Sequence, residues 1–256
     1  MIVGLEGVFA KLERAREHFD SLERELKDYE EVSTTKLSLD IDEAARRARI
    51  MWHCDPAPPL RLAILAGDCV HNARSALDNL ICALVRRHDL SDSCRGRAFP
   101  ICDERSEYDG RIGKELNGVP KLALSIIADL QPWQRPSATR HDDPLWVLNS
   151  LANRDKHRVP NVVRAFTHDA KVAVLDGQGK AILDWRPPRL KSNVPMVVTD
   201  IPPELKVGMS MKALHTFTVC FEDEGPWEDR PALEVLRTVL EYVATRVLPR
   251  FTAFFQ

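Results

Sequence analysis

Asp68, His71, Ser75 and Asp78 follow one another at intervals of three, four and three residues, so a helix would set them on one face, with Asn72, Arg74 and Asn79 beside them. Their flanks are apolar, Leu60-Arg61-Leu62-Ala63-Ile64-Leu65-Ala66 before and Ile81-Cys82-Ala83-Leu84-Val85 after. Ionisable groups on so apolar a helix are costly to bury unless they pair, which makes this stripe the leading site candidate. An imidazole such as His71 titrates near neutral pH and can move a proton. The planar fork of Arg74 suits phosphate or carboxylate. Three residues apart, the two could touch one phosphodiester, with Asp68 or Asp78 orienting either. The same residues also admit a packing reading, in which Arg74 pairs with Asp78 at i+4 and Asp68 with His71 at i+3 to hold the helix in place.

A second polar cluster is Asn153-Arg154-Asp155-Lys156-His157-Arg158. Cations at a helix C-terminus are favoured by the helix dipole, which accounts for Lys156, His157 and Arg158 but not for Asp155. A salt bridge from Asp155 to a stripe residue would account for it; the functional alternative is that His157 or Arg158 completes a site begun by His71 and Arg74. Asp68, His71, Asp155 and His157 could also ligate a metal. Arg74 would repel a cation there and no metal signature is present, so neither metal nor cofactor is expected. The sequence contains no Gly-rich phosphate loop, no Gly-x-Ser-x-Gly elbow and no His-Glu-x-x-His. His18, His88 and His168 read as surface residues, and His53 and His141 lie near Pro-rich turns. Trp133, Trp146, Trp185 and Trp227 read as core.

Several elements must position these groups. Residues 3–30 form an amphipathic helix on the stripe Leu5, Val8, Phe9, Leu12, Phe19, Leu22 and Leu26. Residues 32–41 read as a strand, and 41–50 as helical or irregular. The stripe helix spans about 60–87 and belongs at the centre of a bundle. Residues 88–106 read as an extended loop over the surface. Short helices are expected over 108–117 and 120–130, and a longer one from Asp142-Asp143-Pro144 to Asp155-Lys156-His157-Arg158. Past Pro160, residues 170–175 and 181–185 flank Asp176-Gly177-Gln178-Gly179-Lys180 as a hairpin. Strands over 194–199 and 211–221 and a helix over 230–248 follow. The expected fold class is α+β, mainly α: a helical bundle with a small antiparallel sheet inserted before the C-terminal helix. The segments are 1–160 (bundle), 161–228 (β-rich) and 229–256 (C-terminal helix returning to the bundle), together one domain.

A net charge of −2 over 256 residues argues against a globally basic nucleic-acid binder, though a local patch stays open. The six cysteines form no Cys-x-x-Cys pair, and Cys69 and Cys82 fall inside the stripe helix, so buried free thiols are expected rather than zinc. No run approaches the ~18 apolar residues of a membrane span. The N-terminus lacks the basic start and apolar core of a signal peptide, so a cytoplasmic location is expected.

The segment His71-Asn72-Ala73-Arg74-Ser75-Ala76-Leu77-Asp78-Asn79-Leu80, with the later Asp155-Lys156-His157-Arg158, resembles a group of uncharacterised bacterial, largely actinobacterial, proteins. More loosely it is similar to the HEPN superfamily of helical bundles. Many of these are metal-independent ribonucleases of toxin–antitoxin and phage-defence systems, and others are non-catalytic. The resemblance implies an RNA-directed protein, a homodimer that joins two motifs at one cleft, and an antitoxin-like partner protein. It places Arg74 on the phosphate, with His71 or His157 moving protons. Asn72, Ser75, Asn79, Asp155, Lys156 and Arg158 support them, and Asp68 and Asp78 orient them. Asn79 stands where the family's histidine would be, and an amide cannot act as a general base. Taken alone, that departure argues for a degenerate or non-catalytic member. The leading expectation is an RNA-directed, HEPN-like protein, if active a metal-independent ribonuclease, and the alternative is a non-catalytic interaction or structural module.

Overall fold

Helix α1 (Glu6–Val32) buries Val8, Leu12, Ala15, Phe19, Leu22, Leu26 and Tyr29, residues that alternate at intervals of four and three. That average of 3.5 keeps one continuous seam along the helix. Ser33 ends the helix in an extended conformation, and its hydroxyl donates to the Tyr29 carbonyl at 2.6 Å, satisfying a terminal acceptor. The seam packs on α2 (Leu60–Asp89), which runs antiparallel: Asn79 meets Gly7 near one end and Arg61 meets Glu25 near the other. Helix α2 is buried around most of its circumference, Leu62, Ala66, Val70, Ala73, Leu77, Leu80 and Leu84 included, as expected of the central helix. In this computed structural model, residues 4–89, 94–157, 163–175, 178–185, 190–199, 210–221, 225, 227 and 230–256 are described. The side chains of residues 89, 155–157, 163–164, 168–172, 174, 182–185 and 210–216 lie outside that description.

Two short helices, α3 (Arg105–Glu115) and α4 (Lys121–Asp129), lead to α5 (Pro144–His157). Asp143 starts α5 by accepting the Leu145 N–H at 2.9 Å, while its other oxygen accepts Arg135 Nε at 2.9 Å. The last helix, α6 (Ala232–Tyr242), continues as a π-turn over Val243–Val247 and a 3₁₀ stretch over Leu248–Phe255. Pro249 lacks an N–H and crowds the preceding turn, which is reason enough for the ladder to change register around it. One apolar cluster takes in residues from Leu5 to Phe255 and draws on every helix.

Two three-stranded antiparallel sheets complete the fold, which is α+β and mainly α. The first has the order β1 (Thr34–Asp42), β2 (Arg47–Asp55), β5 (Met196–Thr199). The second has the order β4 (Ala181–Trp185), β3 (Val163–Leu175), β6 (Ser210–Phe221). The hairpin expected at 170–185 forms, with β3 starting earlier and bulging between His168 and Lys171. Residues 41–50 are corrected from helical or irregular to a turn and a strand. Asp42 accepts the Ala45 N–H at 2.9 Å, Arg46 takes a positive φ of 50°, and Ala48, Ile50, Trp52 and Cys54 then alternate inward. The hairpin β1–β2 precedes α2 and recruits β5, so strands are not confined to 161–228.

The surface loop expected over 88–106 is corrected in part: residues 90–93 lie outside the described residues, and residues 95 and 96 are exposed, but the stretch that follows is not. Rather than running over the surface, Phe99, Pro100, Ile101 and Cys102 are buried in an extended stretch between α2 and α4. A buried loop has no sheet or helix ladder for its peptide groups, so side chains must supply their partners. The polar residues of α2 are placed to do this.

Candidate functional site

At 100° per residue the polar face of α2 divides into three directions. Arg74 and Asp78 turn toward the buried stretch. Arg74 Nη1 donates to Asp78 Oδ1 at 2.8 Å and Nη2 donates to the Phe99 carbonyl at 2.7 Å. The same Asp78 oxygen accepts the Phe99 N–H at 2.9 Å. Both peptide groups of Phe99, a residue 0% exposed, are thereby satisfied by one ion pair. Gln131, also 0% exposed, continues the work: Oε1 accepts the Cys102 N–H at 3.0 Å, and Nε2 donates to the Pro100 and Ile127 carbonyls at 2.9 and 3.0 Å.

Asp68, Asn72 and Asn79 turn instead toward α1. Asn72 Nδ2 donates to the Asp68 carbonyl at 2.8 Å, and its Oδ1 accepts Lys11 Nζ at 3.4 Å. Asn79 Nδ2 donates to the Gly7 carbonyl at 3.3 Å. Asp68 faces His18 at 3.9 Å rather than His71, so the expected Asp68–His71 pair is replaced by an interhelical one. His18 is correspondingly more enclosed than a surface residue, its side chain 15% exposed. His71 is exposed and Ser75 half-buried along the third direction. Among the described residues, no hydrogen bond or ion pair involves the His71 side chain.

Helix α5 packs against α2 and ends at His157. The side chains of Asp155, Lys156 and His157, and the whole of Arg158, lie outside the described residues. Arg154 lies over the Trp227 ring at 5.2 Å from its centroid. Trp227 in turn sits 6.0 Å from Trp146, on which His141 stacks at 4.3 Å. The tryptophans that look scattered in sequence are in part gathered by packing.

Two further constellations carry no sequence signal. On the outer face of the first sheet, His53 Nδ1 lies 2.9 Å from Asn193 Oδ1, and His53 Nε2 lies 3.4 Å from Ser38 Oγ. With the amide oxygen facing it, Nδ1 carries the ring proton and Nε2 is left as acceptor. Ser38 has one hydroxyl proton and a second acceptor, the Met51 carbonyl at 3.3 Å. The Asn193 N–H donates to the Trp52 carbonyl at 2.8 Å, so the trio fastens β1 and the approach to β5 onto β2. Residues 15 and 140 positions from His53 meet there only through strand pairing. At the other end of the molecule, a cleft of about 380 Å³ opens at the start of α1, lined by Gly7, Asn79, Arg86, Arg87 and Phe255.

Among the described residues, no group of three or more His, Cys, Asp or Glu side chains is placed to hold a metal ion. No helix among them is long and apolar enough to cross a membrane. None of the six cysteines forms a disulfide. Burial pushes the Cys69 thiol up to about 12 and the Cys102 thiol up to about 11. Burial, then the hydrogen bond with Cys94, raises Cys82 to about 12. These three therefore stay protonated at neutral pH and are poor nucleophiles. No family model matches the chain, and no curated protein or solved structure matches it either.

Proposed function

We propose that this chain is a non-catalytic interaction module, in which the polar face of α2 serves the fold. The observation that carries this reading is the engagement of Arg74: one terminal nitrogen holds Asp78 and the other the Phe99 carbonyl. With its side chain only 13% exposed, the guanidinium would have to turn outward to hold a phosphodiester, and doing so would strand that buried carbonyl at a cost of about 1–3 kcal/mol. Asn79 cannot carry a proton, and its amide is turned to α1. His71 shares the outward line with Ser75, and the charged residues one turn away on either side, Asp68 and Arg74, are turned to His18 and Asp78.

The experiment is cleavage of a mixed RNA pool by the wild type, Arg74→Ala and His71→Ala/His157→Ala, all in EDTA, with products examined for 2′,3′-cyclic phosphate ends. The expected result is no cleavage by any of them, with Arg74→Ala lowering thermal stability. Cleavage by the wild type that both variants lose would overturn the module reading. It would restore the HEPN-like one: a metal-independent ribonuclease of a stress or defence system, with RNA as substrate and an antitoxin-like partner.

A further inference from the structure

We propose that the outer edge of β1 pairs antiparallel with β1 of a second copy, joining two three-stranded sheets into one of six. The proposal deepens the interaction-module reading by naming the partner and the surface. Among the described residues β1 is bonded to β2 on one side and to no strand on the other. Leu37 and Leu39 point to the same face as their cross-strand partners Trp52 and Ile50, but only the partners are fully buried. The covered apolar face thus stops one strand short of the sheet's edge, leaving an apolar ledge along a strand that, among the described residues, has no strand on its outer side, a template for strand addition.

The residues of β1 are complementary to themselves. Ser38 is the middle of the nine-residue strand Thr34–Asp42. A two-fold axis through Ser38 overlaps the whole strand with its copy and keeps the inner faces of both sheets on one side. In that register Lys36 falls opposite Asp40 of the second copy, and Asp40 opposite its Lys36. Leu37 falls opposite Leu39, and Thr34 opposite Asp42. Lys36 and Asp40 are exposed and share the outer face, while the leucines share the inner one. Directly opposed unlike charges and apolar pairs are the contacts that stabilise antiparallel strands, and opposed like charges destabilise them. By symmetry every substitution acts twice.

Charge reversal tests the proposal, with sedimentation equilibrium over a concentration series as the readout. The wild type is expected to be a reversible dimer. Lys36→Asp alone, or Asp40→Lys alone, sets like charges opposite each other at two places and should weaken self-association about tenfold or more. The double variant Lys36→Asp/Asp40→Lys should recover it. A mixture of the two single variants should form heterodimers, because the edge of one then carries acids at both positions and faces an edge that carries lysines at both. Both positions are exposed, so circular dichroism should show all variants folded. A monomeric wild type, or a dimer indifferent to these charges, would overturn the proposal. Neither outcome bears on the RNA experiment, which tests the module reading independently.

Discussion

Removing the Arg74 side chain should destabilise the protein without touching any exposed surface that could bind a substrate. Arg74→Ala withdraws the donor from the Phe99 carbonyl, which lies in a residue with no exposure. An acceptor stranded in that position costs about 1–3 kcal/mol. The ion pair with Asp78 is also lost, its two side chains 13% and 36% exposed. Partial solvent access limits that contribution to about 0.5–1 kcal/mol. Together the loss is about 1.5–4 kcal/mol, which for a chain of this size lowers the melting temperature by roughly 3–16 °C. Asp78→Asn should cost less, about 1 kcal/mol, since the amide oxygen still accepts the Phe99 N–H. Both residues hold the same peptide, so a double-mutant cycle should return a coupling of about 1–2 kcal/mol. Hydrogen exchange gives a local check, because the Phe99 amide should lose protection in Asp78→Ala. Arg74→Ala within about 0.5 kcal/mol of the wild type would refute the claim that this pair holds the buried stretch.

Gln131→Leu fills the same space without a polar atom, so the Cys102 N–H and the Pro100 carbonyl lose their partner. Urea denaturation should show a loss of about 2–4 kcal/mol at an unchanged m-value. Alkaline pH should unfold the protein through its buried acids. Burial raises Tyr29 above the usual phenol value, Tyr108 to about 12, Cys69 to about 12 and Cys102 to about 11. Such groups are neutral when protonated and titrate later in the fold than in the unfolded chain, where thiols lose protons near 8.5 and phenols near 10. Their stabilisation is complete below about pH 8.5 and is lost as the pH rises through 11–12. Melting temperatures measured from pH 7 to 11 should fall steadily above pH 9; a flat profile would contradict the burial of these groups.

The stripe helix was legible in the sequence only in part, for a physical reason. A His-Asn-x-Arg-Ser-x-x-Asp-Asn pattern specifies which groups lie along a helix and how far apart, and the i,i+4 pairing of Arg74 with Asp78 was legible from it. It does not specify what faces the pair. The Phe99 peptide that occupies Arg74 is 25 residues away and is brought there by the path of a loop. Likewise the partner of Asp68 could be guessed within its own helix as His71, while the actual neighbour, His18, comes from α1.

Periodicity alone determined a good deal. The three-and-four spacing of Leu12, Phe19, Leu22 and Leu26 made α1 a helix with one buried seam, and the alternation of Phe217, Val219 and Phe221 made β6 a strand. Those signals are local, since each residue's direction is set by backbone geometry a few positions away. The β2 strand was hidden because Ala44-Ala45-Arg46-Arg47-Ala48-Arg49 has good helix formers, and cross-strand pairing overrode that preference. Only tertiary structure decided that 99–102 would be buried, that Gln131 and Arg74 would serve its peptides, and that Ser38, His53 and Asn193 would meet. Backbone N–H and C=O groups are the same at every residue, so the need of a buried loop for partners leaves no mark in the sequence until the chain has folded around it.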